Sequence, residues 1–282
     1  MESSTATDDA FEGERGDALA DVAFLARSAN RVRILVALAE APASRRALAD
    51  DTGVSRTTLD RIVNEFEDRH WVERRDDGTY ATTATGAALV DAFEPALDAA
   101  VALRRLGDAV DWLPRDEHPI DLAHFRDAHV RQPEGGDPVE TGRYFAGLAR
   151  AADEMWVMSE WAPPEALARP MHDEIVGGDL DATFVVTRDV AAQVFAAPER
   201  VQRWREMLST NAETWVVDGP IPCNLYVFDE TVLVKASGPD AVSESYGVPI
   251  ESTNPRVREW ALDLFERYRA AATPIEADTL AE

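Results

Sequence analysis

The sequence predicts an α+β chain: an N-terminal winged helix-turn-helix, a long linking helix and a C-terminal α/β sensor-like domain. Three observations predict it. From Arg45 to Arg69 the chain reads RRALADDTGVSRTTLDRIVNEFEDR, two helical patterns parted at Thr52-Gly53. Directly after it, HWVERRDDGTYAT holds two short strand patterns around Asp77-Gly78. From Val139 onward, apolar runs such as MWVM and ATFVVT alternate with helical segments, which is how a sheet covered by helices reads.

Taken in order, residues 1–16 are small, polar and acidic, the composition of a disordered tail. Residues 17–86 make the winged helix-turn-helix. Asp17 to Glu40 is helical, with Leu19, Val22, Ala23, Phe24 and Leu25 on one apolar face and Val32, Ile34, Leu35, Val36 and Leu38 on a denser one. Ala41-Pro42-Ala43 breaks the helix, and Ser44 caps the next. Leu48 faces inward, Gly53 takes the positive φ that ends a helix, and Val54 plugs the corner. Ser55 stands where an N-cap belongs. Leu59, Ile62, Val63 and Phe66 then recur at helical spacing, so Arg56, Thr57, Asp60, Arg61 and Asn64 face out. Trp71 to Arg74 and Tyr80 to Thr82 form a hairpin closed by Asp77-Gly78. Thr83 or Thr85 caps the following helix, and Gly86 packs against the hairpin.

Residues 87–138 are the linking helix and connector. Ala87 to Trp112 is one long helix, with Pro95 as a kink. Its stripe of Leu89, Val90, Phe93, Leu97, Val101, Leu103, Leu106 and Val110 must bury against a second copy or the C-terminal domain. Residues 139–272 form the α/β domain. Strands are expected at Met155–Met158, Ala182–Thr187, Thr214–Val217, Asn224–Phe228 and Val232–Ala236, with a further one over Gly247–Ile250. Helices are expected over Thr141–Ala152, Pro163–Val176 and Val190–Leu208, the last broken near Pro198. Asn254-Pro255 opens the final helix. Residues 273–282 look frayed.

Composition bounds the function. The 282 residues are 45% hydrophobic, enough for a substantial core. No apolar run approaches the ~20 residues that span a bilayer. The N-terminus lacks the basic and apolar regions of a signal peptide, so a cytoplasmic protein is expected. Cys223 is the single cysteine, which excludes an internal disulfide; a buried, inert thiol is expected there. The net charge is −25, from 53 Asp plus Glu against 28 Lys plus Arg. Only Lys235 is a lysine. Such an acidic, lysine-poor composition resembles proteins that work in molar salt. From Asp17 to Val90, ten arginines meet twelve acids, so the helix-turn-helix region is close to neutral while the remainder carries the charge.

Beyond this, the chain resembles the archaeal Fil-type (methanogenesis regulatory protein) transcription regulators. The segments that carry the resemblance are STNPRVREWALDLFERYR from Ser252 to Arg269, the hairpin LYVFDETVLV and LRRLGDAVDWLP. The resemblance implies a winged-helix regulator with a sensor domain. The methanogenic pathway is not carried over to a composition of halophilic type.

For double-stranded DNA, the expected contacts are Arg45, Arg46, Ser55, Arg56, Thr57, Thr58 and Arg61, with Arg74 and Arg75 on the wing. Arginine suits guanine O6 and N7, threonine suits thymine methyls and phosphate, and the start of a helix suits phosphate. The alternative is an ordinary solvated helix face whose arginines pair with neighbouring acids. For an effector, the expected contacts lie at strand ends and on the later hairpin: Ser159, Glu160, Trp161, Arg188, Asn224, Tyr226 and Lys235. Trp156, Trp204, Trp215 and Trp260 read as core. A phospholipase-D-like enzyme requires His-x-Lys, and none of the five histidines has lysine two places later. The acids and histidines between Glu117 and His129 match no closed metal site, so neither metal nor cofactor is expected. The resulting expectation is a homodimeric DNA-binding regulator that senses a small molecule. Two alternatives are an effector-free scaffold or corepressor-type protein, and a degenerate enzyme domain.

Overall fold

The computed structural model describes residues 3–131, 138–163, 165–238 and 249–276. The expected connector glycines Gly135-Gly136, the start of the strand expected at Gly247, Pro164 and the tail from residue 277 lie outside them. The chain packs as two compact units, Met1–Leu97 and Asp98–Glu282. The linking helix and connector, set apart in the sequence, are therefore divided between the two.

The first unit holds α1 (Ser3–Ala26), α2 (Ala29–Glu40), α3 (Arg45–Thr52), α4 (Arg56–Asp68), the hairpin strands β1 (Val72–Arg74) and β2 (Tyr80–Thr82), and the start of α5 (Ala84–Leu106). Helix already begins at Ser3, inside the stretch whose composition predicts disorder. That stretch contains Ala, Glu and Arg and no proline, so helix propagates into it. The expected apolar face of α1 is only partly used. Leu25 is buried, whereas Leu19 and Val22 are 68% and 42% exposed.

The helix-turn-helix forms as its residues dictate. Ser44 Oγ accepts from the Ala47 amide at 3.2 Å, and Ser55 Oγ accepts from the Thr58 amide at 3.4 Å. Gly53 sits at φ +67 between the two helices. Leu35, Leu48, Val54, Ile62 and Phe66 share one core with Trp71 and Tyr80. The hairpin pairs Val72 with Thr82 and Arg74 with Tyr80. The Asp77 carboxylate accepts from the Thr79 amide and hydroxyl, closing the turn at Gly78. Ala43 adds a bridge to Tyr80, with both amide-to-carbonyl bonds at 2.9 Å. Of the two threonines offered by the sequence, Thr83 is the cap. Its hydroxyl accepts from the Gly86 amide and donates to the His70 carbonyl.

The second unit is an eight-stranded mixed sheet. Its elements are β3 (His129–Val130), α6 (Pro138–Ala151), β4 (Glu154–Ser159), α7 (Glu165–Gly177), β5 (Asp181–Thr187), α8 (Arg188–Phe195) and α9 (Pro198–Leu208). They continue with β6 (Ala212–Val217), β7 (Cys223–Phe228), β8 (Thr231–Ala236), β9 (Ile250–Ser252), α10 (Pro255–Ala271) and β10 (Thr273–Ile275). The strand order is β10-β6-β5-β4-β7-β8-β9-β3. β4, β5 and β6 are parallel neighbours, while β7, β8, β9 and β3 continue antiparallel from β4. The residues expected to fray are not all loose: Thr273–Ile275 pairs with β6 and closes that edge.

Side chains alternate between two cores, as a strand requires. Met158, Val185 and Leu225 face α10, with Trp260, Leu264 and Phe265. Met155, Val157, Phe184 and Leu233 face the other side, with Ala149, Ile175 and Met207. The end of α5 belongs to the first of these cores through Ala102 and Leu106. Its long stripe is therefore split: Val90 and Leu106 are buried, while Leu97, Val101 and Leu103 are 36–45% exposed. α5 ends at Leu106, and Gly107, at φ +53, turns the chain into a 3-10 helix, Gly107–Asp111, that carries helical structure up to the expected end at Trp112. Connector groups are used in packing. Trp260 Nε1 donates to the His118 carbonyl, and Tyr268 donates to the Glu117 carboxylate at 2.6 Å.

Gly86 provides a direct test of the first unit. A Cβ there would lie 2.0 Å from the Trp71 carbonyl oxygen. Gly86→Ala should lower stability by about 1–3 kcal/mol or more. A denaturant midpoint equal to wild type would contradict this close approach.

Candidate functional site

Two surfaces carry chemistry, one in each unit. In the first, α4 buries Leu59, Ile62, Val63 and Phe66 and exposes Ser55, Arg56, Thr57 and Arg61. Thr58 is half-buried, and its hydroxyl accepts from Ser55 Oγ at 2.9 Å. The arginines divide into held and free. Arg45 donates to Asp60 at 2.9 Å and to Asn64 at 3.0 Å, with its guanidinium 5.0 Å from the Tyr80 ring centroid. It braces α3 against α4 and the hairpin. Arg46 is 3.9 Å from Asp50, with both side chains in solvent. Arg61 donates to Glu65 at 2.6 Å. Burial alone would raise the Glu65 carboxyl, but Arg31 and Arg61 outweigh it and hold it below the usual carboxylate range. Among the described residues, Arg56 and Arg74 make no ion pair and are exposed; Arg75 is exposed too, but its charge acts with the Thr79 hydrogen bonds to hold the Asp77 carboxyl below its ordinary range.

In the second unit a cleft of about 1060 Å³, counted out to its open mouth, lies over the carboxyl end of β4. Its walls are largely apolar and aromatic: Phe145 from α6, Met171 from α7, Phe184 from β5, Trp204 and Met207 from α9, and Trp161 after β4. The polar groups are Ser159, Tyr226 and Lys235 on the sheet side, and His172, Arg200 and Arg203 on the helix side. Ser159 is 3% exposed and fully engaged. Its hydroxyl lies 3.0 Å from both Asn224 Oδ1 and the Trp161 carbonyl, 3.3 Å from the Tyr226 hydroxyl, and accepts from the Trp161 amide. Asn224 Oδ1 also accepts from the Glu160 amide, and its Nδ2 donates to the Ala236 carbonyl. Strands β4, β7 and β8 are thus cross-tied beneath the cleft.

Burial pushes the Tyr226 hydroxyl up to about 12, so at neutral pH it is a donor. Burial pushes the Lys235 amine down to about 8. Lys235 forms no ion pair among the described residues; its Nζ lies 5.4 Å from the Trp161 ring centroid. His172 lies 2.9 Å from Glu206 and 3.0 Å from Asp173. Cys223 is buried on the α10 side, where burial lifts its thiol to about 12.

Of the residues the sequence suggests for an effector, the structure brings Ser159, Trp161, Tyr226 and Lys235 to one cleft and sets Asn224 directly behind them. Two stand apart. Glu160 lies outside the lining and accepts from the Gly238 amide, though its charge still reaches the Tyr226 hydroxyl, and Arg188 is exposed and paired with Asp218. Trp204 reads as core in the sequence yet lines the cleft, 5.3 Å from the Phe184 ring. Sequence reasoning also missed Phe145, Met171, Arg200 and Arg203. The only signal for Phe145 and Met171 is an apolar helix face, which marks core and cleft alike, and Arg200 and Arg203 read as ordinary solvent-facing helix arginines.

Two family descriptions match the chain: the HVO_A0261 N-terminal domain over residues 19–105, and the middle domain of methanogenesis regulatory protein FilR1 over residues 138–271. No curated protein matches. Among solved structures, TrmBL2, an archaeal chromatin protein, aligns at 13% identity over 90% of this chain and 98% of its own, with a TM-score of 0.41. The O-methyltransferase NcsB1 of neocarzinostatin biosynthesis aligns at 15% identity over 88% of this chain and 93% of its own, with a TM-score of 0.26.

The cost of burying Lys235 is measurable. The unfolded chain keeps the proton up to the ordinary value of 10.5, while the folded amine releases it near 8. The penalty is therefore full below pH 8 and disappears as pH rises past the ordinary value. Lys235→Met should stabilise the protein by about 2–3 kcal/mol at pH 7, with the gain shrinking between pH 8 and 10.5. Urea midpoints of both proteins across that range check it; a gain independent of pH would contradict it.

Proposed function

We propose that this chain, which matches the HVO_A0261 N-terminal domain and the FilR1 middle domain, is a regulator that binds double-stranded operator DNA as a homodimer whose second unit holds a small-molecule effector. The observation that carries the reading is a coincidence within the first unit. A capped helix-turn-helix presents Ser55, Arg56 and Thr57 at the start of α4, and among the described residues Arg56 and Arg74 have no ion-pair partner, while Arg75 is exposed on the wing. Start-of-helix amides and hydroxyls suit phosphate, and a free guanidinium suits a guanine edge or the backbone beside the groove. The cleft supports the effector half of the reading, because it is concave, mostly apolar and has a few convergent polar groups. Effector occupancy would bias DNA binding by its preference for one arrangement of the dimer.

The held and free arginines predict a ranking. Arg56→Ala should weaken operator binding by about tenfold or more, the loss expected for a good base contact. Arg61→Ala should cost less, because Arg61 must first leave Glu65. Arg45→Ala should reduce stability, since it removes the brace to Asp60 and Asn64. Fluorescence anisotropy with an upstream promoter fragment in molar KCl, beside thermal melts, separates these effects. Wild-type affinity in Arg56→Ala would remove α4 as the reading helix.

The salt response is a second expectation. Few arginines on this face are free to replace counterions, and the region is near neutral overall. Affinity should therefore fall less steeply with KCl than for a strongly basic reader, whose slope follows the number of phosphates neutralised. A steep slope in the same titration would sink this account of the interface.

A further inference from the structure

The cleft's lining says which class of molecule it takes. Aromatic rings converge from α6, β5, β7 and α9 and from the loop after β4, and Met171 and Met207 fill between them. Such walls leave a polyhydroxylated ligand with unpaired hydroxyls, a loss of hydrogen bonds that sugars and sugar phosphates cannot recover here. The same walls suit the faces and edges of an aromatic body. Among the described residues, the charged side chains that line the cleft are cationic, Lys235, Arg200 and Arg203, with Glu206 outside the lining beside His172 and Arg203. In a chain of net charge −25, that local excess of cations is a selection for negative charge.

Lys235 is the decisive group. It is the one lysine in 282 residues, half-buried at the cleft wall beside Trp161, with no carboxylate partner among the described residues. Behind it, Asn224 faces Lys235 across the β7–β8 ladder and locks Ser159 and the Ala236 carbonyl, so the sheet side is preorganised. The buried Tyr226 hydroxyl adds a donor on the same side. A partly desolvated cation with no carboxylate partner among the described residues is stabilised by an anion from outside.

We propose that the cleft binds a small aromatic monocarboxylate, its ring among Phe145, Phe184 and Trp204 and its carboxylate against Lys235 and the Tyr226 hydroxyl. This deepens the effector half of the proposed function and rests on it, but it is tested without DNA. The full-length chain in molar KCl is titrated with phenylacetate, phenylacetamide and glucose 6-phosphate, followed by calorimetry and by tryptophan fluorescence, which Trp161 and Trp204 should dominate. Phenylacetate should bind at least tenfold tighter than its neutral amide, and glucose 6-phosphate should not bind. Lys235→Met should lose at least tenfold for phenylacetate and nothing for the amide. Because that variant is expected to be more stable than wild type, lost binding cannot be blamed on misfolding. Equal binding of acid and amide, unchanged binding in Lys235→Met, or tighter binding of the sugar phosphate would each overturn the assignment. If phenylacetate binds but leaves promoter affinity unchanged, the ligand class stands and its regulatory role fails; if neither phenylacetate nor phenylacetamide binds, the ligand class itself fails.

Discussion

The second unit depends on the position of β4 in its sheet. β4 runs parallel to β5 on one side and antiparallel to β7 on the other. A strand so placed is buried on both faces, and its residues feed two cores by simple alternation. Met158 goes to the α10 side, and Met155 and Val157 go to the side of α6 to α9. The change of direction also decides where a ligand fits. The chain leaves β4 through α7 to reach β5, while β7 is reached from β6 by the short connection 218–222, which passes over β5 and β4 to the far side of β4. The cleft opens outside the carboxyl end of β4, under α6, α7 and α9. Ser159, the last residue of the strand, sits at its floor.

Hydrogen bonding makes that floor rigid. The Ser159 hydroxyl and Asn224 side chain satisfy one another and the backbone around them, so two buried polar residues cost little. With the floor fixed, the apolar walls and the cations can be held at constant positions. In the first unit, Tyr80 has a comparable role. It bridges Ala43 through the backbone, packs in the core and stacks under Arg45, which in turn holds Asp60 of α4. The hairpin and the reading helix are therefore fastened to each other by one residue.

Much of this was legible in the sequence because its signals are local. Gly53, Ser55, Asp77-Gly78, Pro198 and Asn254-Pro255 each specify a backbone event within three or four residues, and each event occurs where the residues demand it. What was not legible involves partners far apart in the chain. Arg45 and Arg56 look alike in sequence, yet Asp60, four residues beyond Arg56, holds Arg45 and leaves Arg56 free. Trp204 and Trp260 look alike, yet one lines a cleft and the other is core. Strand β10 was missed because Pro274 at its centre argues against a strand, and proline is tolerated there only because β10 lies at the sheet's edge against β6. Arg188 follows a strand end, as a cleft residue does, but the turn into α8 aims it at Asp218 instead.

The lone lysine has a chemical consequence. An amine whose proton is lost near pH 8 is about one-tenth neutral at pH 7, far more than an ordinary lysine. Neutral amines are the nucleophilic form. In a chain whose other side-chain cations are guanidiniums and imidazoles, amine-directed reagents meet one side-chain target, and it lies in the cleft wall. Acylation there would remove the charge at the centre of the cationic lining and leave the rest of the acidic surface untouched. The residue on which an anion preference of the cleft would rest is thus also the point at which covalent chemistry would remove it.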